Sequence, residues 1–239
     1  MTLPDFSQFE QAIGVTFIDK TLLTQAFTHR SFLNENQSLG LSHNERLEFL
    51  GDAVLELVIT EYLFIEYPDK TEGELTSYRA SLVNTISISD VARELGMDTY
   101  LLLSRGEAKD TGRARQSIMA NTFESVIGAI YMDQGYAPAK AFITKHLVPK
   151  LVKIVQKHLW RDSKSLFQEK AQEFEGITPS YQLLSEIGPD HDKQFTVGVF
   201  IGKAKVAEGK GHSKQEAEQD AAENGLAARK WARWIRGKT

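Results

Sequence analysis

The sequence predicts two folded units in succession, a purely helical one and then a small α+β one. Three observations carry this. From residue 6 to about residue 157, apolar side chains recur with helical spacing. After residue 163 the pattern changes, and the stretches 179–186, 195–201 and 205–210 alternate in the manner of strands. A helix at 163–175 and a second one rich in alanine (Ala217, Ala221, Ala222) flank them, giving the order helix–strand–strand–strand–helix.

The elements follow in order. Residues 6–13 and 19–28 read as short helices, the second with Asp19 as its cap. Thr28-His29-Arg30-Ser31 leads into a polar loop at 34–42. His29 could touch a ligand, but one histidine without a partner motif is more often a satisfied structural group. A long helix begins near Glu45, with Ser42 or Asn44 as its cap, and stops before Pro68. Glu72 opens the next helix, through 84; its acids suit a helix N-terminus. Residues 85–95 form another, closed by Gly96. The stretch 106–113 is a polar loop, and Arg113 and Arg115 offer phosphate contacts. A helix over 117–135 has the core stripe Met119, Phe123, Val126 and Ile130. Residues 138–157 are helical with a break near Pro149, and 160–163 form a short link. In the second unit, Gly176 ends the first helix and 188–192 form a polar turn.

The long helix from Glu45 carries the chemistry. At 100° per residue, Leu47, Leu50, Val54, Leu57 and Val58 share a core stripe. Glu45, Glu48, Asp52 and Glu56 fall on another arc. The first three, at i, i+3 and i+7, crowd like charges on one narrow face. Such runs are most often solvated surfaces; the alternative is that a divalent cation compensates them. Phe49 lies beside these acids and off the stripe, so it marks a partner surface. In the helix over 117–135, Asn121, Glu124 and Gly128 share a face. Glycine there costs about 1 kcal/mol of helix propensity against alanine. Close approach to a neighbouring backbone, bringing Glu124 towards the acidic helix, would explain it.

Composition narrows the function classes. With 239 residues the chain fits one large or two small domains. The absence of cysteine excludes disulfides, thiolate metal sites and a thiol nucleophile, and suits a reducing compartment. No signal peptide and no apolar run of membrane-spanning length is visible, so the expected location is the cytoplasm, with no membrane partner. Net charge is −4 overall, about +1 for residues 161–239 and about −5 for the rest. Nucleic-acid binding would therefore depend on local patches.

From Asn44 to Asp52 the sequence resembles the signature of the ribonuclease III family, which cleaves double-stranded RNA with divalent metal. Thr28–Ser31 and Ala120-Asn121-Thr122-Phe123-Glu124 resemble further family segments. Gly188-Pro189-x-His191 and Gly211-x-Ser213-Lys214-x-x-Ala217-x-x-x-Ala221-Ala222 resemble a double-stranded RNA-binding domain. The resemblance implies a multidomain chain: an all-α endonuclease domain at 5–158, an α+β (α-β-β-β-α) double-stranded RNA-binding domain at 162–230, and a basic tail at 231–239. Trp231 and Trp234 in that tail either pack on the domain or accompany its phosphate contacts.

The resemblance also implies roles. Asp52 and Glu124 are catalytic. Glu48, Asp52, Asn121 and Glu124 hold Mg²⁺, with Mn²⁺ as a substitute and no organic cofactor. Glu45, Glu72 and Glu107 stand behind the metal or face RNA, and Arg46 is a structural partner. Gln168, Glu169 and His191 reach 2′-hydroxyls, and Lys214 grips phosphates. The family works as a homodimer, with Phe49 facing the dimer partner, cuts both strands and leaves short 3′ overhangs; its RNA substrates are structured precursors of rRNA and mRNA. Two departures matter. Asn121 stands where the family usually has aspartate; its carbonyl oxygen can still ligate but brings no charge. Gln215 stands where many relatives have a basic residue. The first departure motivates an alternative, a double-stranded RNA-binding protein that no longer cuts. A general acid–base hydrolase using paired carboxylates sits poorly with the RNA-binding unit.

Overall fold

The computed structural model describes residues 3–156, 163–189 and 193–231. The chain divides into two compact units, Met1–Trp160 and Arg161–Thr239.

The first unit is helical: α1 (Ser7–Ile13), α2 (Lys20–Ala26), α3 (Arg30–Glu35), α4 (Glu45–Glu66), α5 (Glu72–Leu82), α6 (Thr85–Glu94), α7 (Arg113–Gln134) and α8 (Tyr136–Gln156). Local chemistry sets several ends. Asp19 caps α2, accepting Thr21 N–H at 2.8 Å. Thr71 and Glu74 form a reciprocal capping box at the start of α5, so Glu74 has a structural use. Helix α7 lies at the centre. Ile118, Met119, Phe123, Val126, Ile127 and Ile130 are all buried, so more than one face of it is covered.

Four expectations need correction. The polar loop at 34–42 is shorter than its composition suggests: α3 runs to Glu35 and a 3₁₀ turn covers Gln37–Leu39, because buried Phe32 anchors α3 to the core. Helix α7 begins at Arg113 rather than 117. Helix α8 is unbroken through Pro149, because Leu147 and Leu151 are buried on either side of it and hold both halves in line. Asn44 holds the N-cap position of α4, its carbonyl accepting Glu48 N–H at 2.9 Å, but its side chain makes no cap bond. Its buried amide instead donates to Ala26 O at 3.2 Å, and its backbone N–H to Thr28 O at 3.0 Å. Both bonds are tertiary and invisible to local pattern.

The second unit contains α9 (Ser163–Glu175), β1 (Ser180–Ile187), β2 (Gln194–Ile201), β3 (Ala204–Gly211) and α10 (Lys214–Ala228). The strands form an antiparallel sheet in the order β1-β2-β3, with a bulge between Leu183 and Ser185. Val199 and Ile201 of β2 join Leu166 and Phe167 of α9 and Ala221, Ala222 and Leu226 of α10 in one core. The alanines of α10 have a physical reason. A β-carbon at Gly209 of β3 would meet Ala221 N at 2.0 Å, so helix and strand touch backbone to backbone. Trp231 is 8% exposed, with its ring 5.4 Å from that of Phe167 and 5.7 Å from that of Phe174, so it packs on the domain. His191, Trp234 and the rest of the basic tail lie outside the described residues.

Candidate active site

The site forms where α4 crosses α7, and two glycines make the crossing close. A β-carbon on Gly51 would stand 1.7 Å from Glu124 O, and one on Gly128 would stand 2.2 Å from Leu47 O. Neither position tolerates a side chain while the helices stay in place. Ser125 reinforces the crossing, its hydroxyl donating to Asn121 O at 2.7 Å and lying 3.4 Å from Asn44 O. The close approach expected at Gly128 is present, and Gly51 is its counterpart. Gly51 was legible in principle as a glycine inside a strongly helical run.

The crossing brings Glu48 and Asp52 of α4 against Asn121 and Glu124 of α7. Burial first, then Asp52 and Glu48, push the Glu124 carboxyl up to about 8. Glu48 is raised as well, by burial and then by Glu45, while a hydrogen bond from Asn121 works in the opposite direction. Like charges with a shared desolvation cost favour protonation or a cation. Among the described residues no three His, Asp or Glu side chains close into a ready-made metal cage. Mg²⁺ does not need one, because it keeps several waters and is commonly held by one or two carboxylates. Three crowded carboxylates and an amide oxygen fit such an ion.

The remaining acids divide into two groups. Glu45 is paired with Arg30 at 3.3 Å, and His43 Nδ1 lies 3.7 Å from its carboxylate; Arg46, expected as the structural partner, is exposed instead. Glu107, in the 3₁₀ turn Glu107–Lys109, acts on the same histidine, His29, as Glu45 does, so it belongs to this end of the molecule. Glu72 does not join them within its own chain. It begins α5, after α4 has travelled about 27 Å from Glu48 at 1.5 Å per residue. There it lines a cavity of about 620 Å³ with Leu63, Phe64, Tyr67, Leu75 and Arg79.

The core stripe of α4 also differs from expectation. Leu57 is 56% exposed, whereas Leu55, Ile59 and Leu63 are buried. Neighbours on two sides widen the buried arc and shift it away from Leu57. Phe49, 81% exposed, and Phe64, 73% exposed, join Leu57 and Ala53 in a second apolar row at 49, 53, 57 and 64. That spacing follows one helical face and could have been read beside the first.

In the second unit, Gln168 and Glu169 are exposed on α9 and line a shallow polar groove with Gln172 and Thr178. Lys214 is exposed at the start of α10, where Ser213 Oγ accepts Glu216 N–H at 3.1 Å.

Comparison with known proteins agrees with this geometry. Residues 19–151 match the family model described as ribonuclease-III-like, and residues 163–228 match the double-stranded RNA binding motif. The chain is 46% identical over 214 residues to ribonuclease 3 of Pelotomaculum thermopropionicum, covering 90% of this chain and 89% of that one. It is 42% identical over 218 residues to ribonuclease 3 of Streptococcus equi subsp. zooepidemicus, covering 91% and 94%. A solved nuclease domain of ribonuclease III from Campylobacter jejuni is 37% identical, covers 62% of this chain and 97% of its own, and superposes with a TM-score of 0.56. The helical unit with its crossed helices, the double-stranded RNA-binding unit that follows it in sequence and relatives matched over nine-tenths of the length agree: the chain belongs to the ribonuclease III family.

Proposed function

We propose that this endoribonuclease hydrolyses double-stranded RNA at the Glu48–Asp52–Asn121–Glu124 cluster with Mg²⁺, or Mn²⁺ in its place, and does so as a homodimer. The observation that carries the reading is the glycine-to-glycine crossing, which forces carboxylates of two helices together despite their repulsion. When bound, a divalent cation supplies positive charge at the attacking water and the leaving 3′-oxygen. Asp52 and Glu124 would hold it from the two helices, with Glu48 and the Asn121 oxygen as the further oxygen donors. Glu45 and Glu107 flank the cluster on the side where the RNA backbone arrives.

The exposed row on α4 supports a second copy as partner. In a twofold pair each residue near the axis meets itself. With Leu57 near that axis, the partner's Phe49 faces the stretch around Phe64, where the cavity of about 620 Å³ has room for a phenyl ring. Glu72, on the rim of that cavity, then approaches the partner's acidic end. One Campylobacter jejuni nuclease-domain structure, 38% identical with a TM-score of 0.54, is described as flexible in a region involved in dimer formation. Two such centres would cut opposite strands and leave short 3′ overhangs, a product suited to processing structured precursor RNAs.

For recognition, A-form RNA offers 2′-hydroxyls and phosphates rather than base edges. Gln168 and Glu169 suit the hydroxyls, and Lys214 beside the open N–H groups of α10 suits phosphates. His191 is assigned to the next minor groove by its motif alone.

The test is cleavage of a perfect duplex by the purified chain, with Mg²⁺ and with chelator. Mg²⁺-dependent products with short 3′ overhangs are expected, and Glu124→Gln should stop cleavage yet still bind the duplex. Cleavage at undiminished rate by Glu124→Gln would remove this cluster from the chemistry.

A further inference from the structure

The Thr28–Ser31 segment is a motif that the proposed chemistry leaves unused, and it sits at a junction. His29 N–H donates to Leu102 O at 3.1 Å, Leu102 N–H to Phe27 O at 2.9 Å, and Asn44 N–H to Thr28 O at 3.0 Å. One short segment thus fastens both the start of α4 and the stretch that leads to Glu107.

Its side chains continue the connection. His29 is the N-cap of α3: its Nδ1 accepts Ser31 N–H at 3.3 Å and lies 2.8 Å from Ser31 Oγ. Ser31 Oγ accepts Ser104 N–H at 3.1 Å, and Ser104 Oγ accepts Glu107 N–H at 3.3 Å. The Ser31 backbone N–H can only donate, and it points at His29 Nδ1. That nitrogen is therefore the unprotonated one, and the neutral ring carries its proton on Nε2. The result is a continuous relay, His29–Ser31–Ser104–Glu107.

We propose that His29 is a positioning residue for cleavage: as a neutral acceptor it latches Ser31, and through Ser104 it holds the turn bearing Glu107, an acid that faces the same ring as Glu45 does. This rests on the reading of the acidic cluster as the cleavage centre. The latch weakens when the ring takes a second proton, because a protonated Nδ1 can no longer accept the Ser31 N–H and the Ser31 hydroxyl must turn from donor to acceptor. The charged and titratable groups facing the ring are Glu107 on its turn, Glu45 on α4, Arg30 on α3 and His43 before α4. Burial, the largest influence, favours the neutral ring, Glu107 and Glu45 pull the other way, Arg30 and His43 side with burial, and the net shift is downward. The latch is therefore intact above the ordinary histidine value of 6.5 and is weakened as pH falls through the depressed native value.

The experiment follows amide hydrogen exchange in the full chain, metal-free, across pH 5 to 8, for wild type, His29→Ala, His29→Asn and Glu107→Ala. Protection factors at Ser31, Ser104 and Glu107 should fall about fivefold or more in His29→Ala, the scale of one lost hydrogen bond, while the centres of α4 and α7 stay protected. Asparagine can accept at an N-cap but does not titrate in this range. His29→Asn should therefore keep the protection and abolish its decline at low pH. Cleavage should drop by a similar factor in His29→Ala and Glu107→Ala, and no further in the double variant. Unchanged Ser104 protection in His29→Ala, or fully additive losses in the double variant, would overturn the latch. If His29→Ala fails to fold, His29→Asn decides alone, since an undiminished acid decline in its Ser104 protection excludes His29 as the titrating acceptor. Cleavage surviving in Glu124→Gln would instead defeat the cleavage-centre reading and leave the exchange measurements standing.

Discussion

Gly51 lies so close to Glu124 that a β-carbon on the glycine would stand 1.7 Å from the glutamate's carbonyl oxygen. This is the contact that turns two ordinary amphipathic helices into an acidic centre. Gly51→Ala should gain about 1 kcal/mol of helix propensity and lose more, because overpacking a close-packed crossing costs on the order of 1–3 kcal/mol and occasionally more. Denaturant titration should show net destabilisation, and cleavage should fall with it. Gly73→Ala is the control: it is helical, with nothing within 4 Å of the added carbon, and should be neutral or stabilising. Equal effects at the two positions would refute the crossing as the cause.

Glu124 predicts an unusual pH dependence for the metal-free protein. Its native value, about 8, is raised above the ordinary 4.5, so the unfolded chain releases its proton first as pH rises. The stabilising contribution is complete below 4.5 and is lost as pH rises through about 8. In chelator, the melting temperature should decline over that window, and Glu124→Gln should flatten the decline. Mg²⁺ should restore more stability at pH 8 than at pH 6, since below the native value it competes with a proton. A melting temperature in chelator that is independent of pH from 5 to 8 would contradict the crowded cluster.

Phe49 is expected to serve assembly. Phe49→Asp puts a charge into a face that is solvent-exposed in the single chain, so helix content should remain near that of wild type. Sedimentation at low micromolar concentration should show monomers, with double-strand scission greatly reduced. A dimer of unchanged affinity would remove Phe49, and the α4 row with it, from the interface.

Asn121 sets two effects against each other. It donates a hydrogen bond to Glu48, which an aspartate at this position would replace with repulsion. Asn121→Asp should therefore lower the melting temperature in chelator while lowering the Mg²⁺ concentration for half-maximal cleavage. Asn121→Ala, with neither oxygen nor donor, should raise the Mg²⁺ requirement. Identical Mg²⁺ dependence in all three proteins would place residue 121 outside the metal's reach.

What the sequence by itself determined is what depends on residue type and local spacing. The acids at i, i+3 and i+7 on α4, the Gly128 signal on α7, the Asp19 cap and the helix–strand–strand–strand–helix order of the second unit were all legible, because side-chain period and capping are local properties. The tertiary structure decided which surfaces meet. Leu57 and Leu55 are equally apolar, and only the positions of the neighbouring helices leave the first exposed and bury the second. Asn44 looks like a cap in sequence and is a tertiary pin, because a buried amide bonds wherever a partner is within reach. Pro149 looks like a break, yet core contacts on both sides outweigh one missing hydrogen bond. Glu72 and Glu107 carry the same charge, and the fold sends one to the far end of α4 and the other to the His29 latch. Local pattern records what a residue can do; which partner it meets depends on contacts tens of residues away in the chain, and those exist only once the helices have packed.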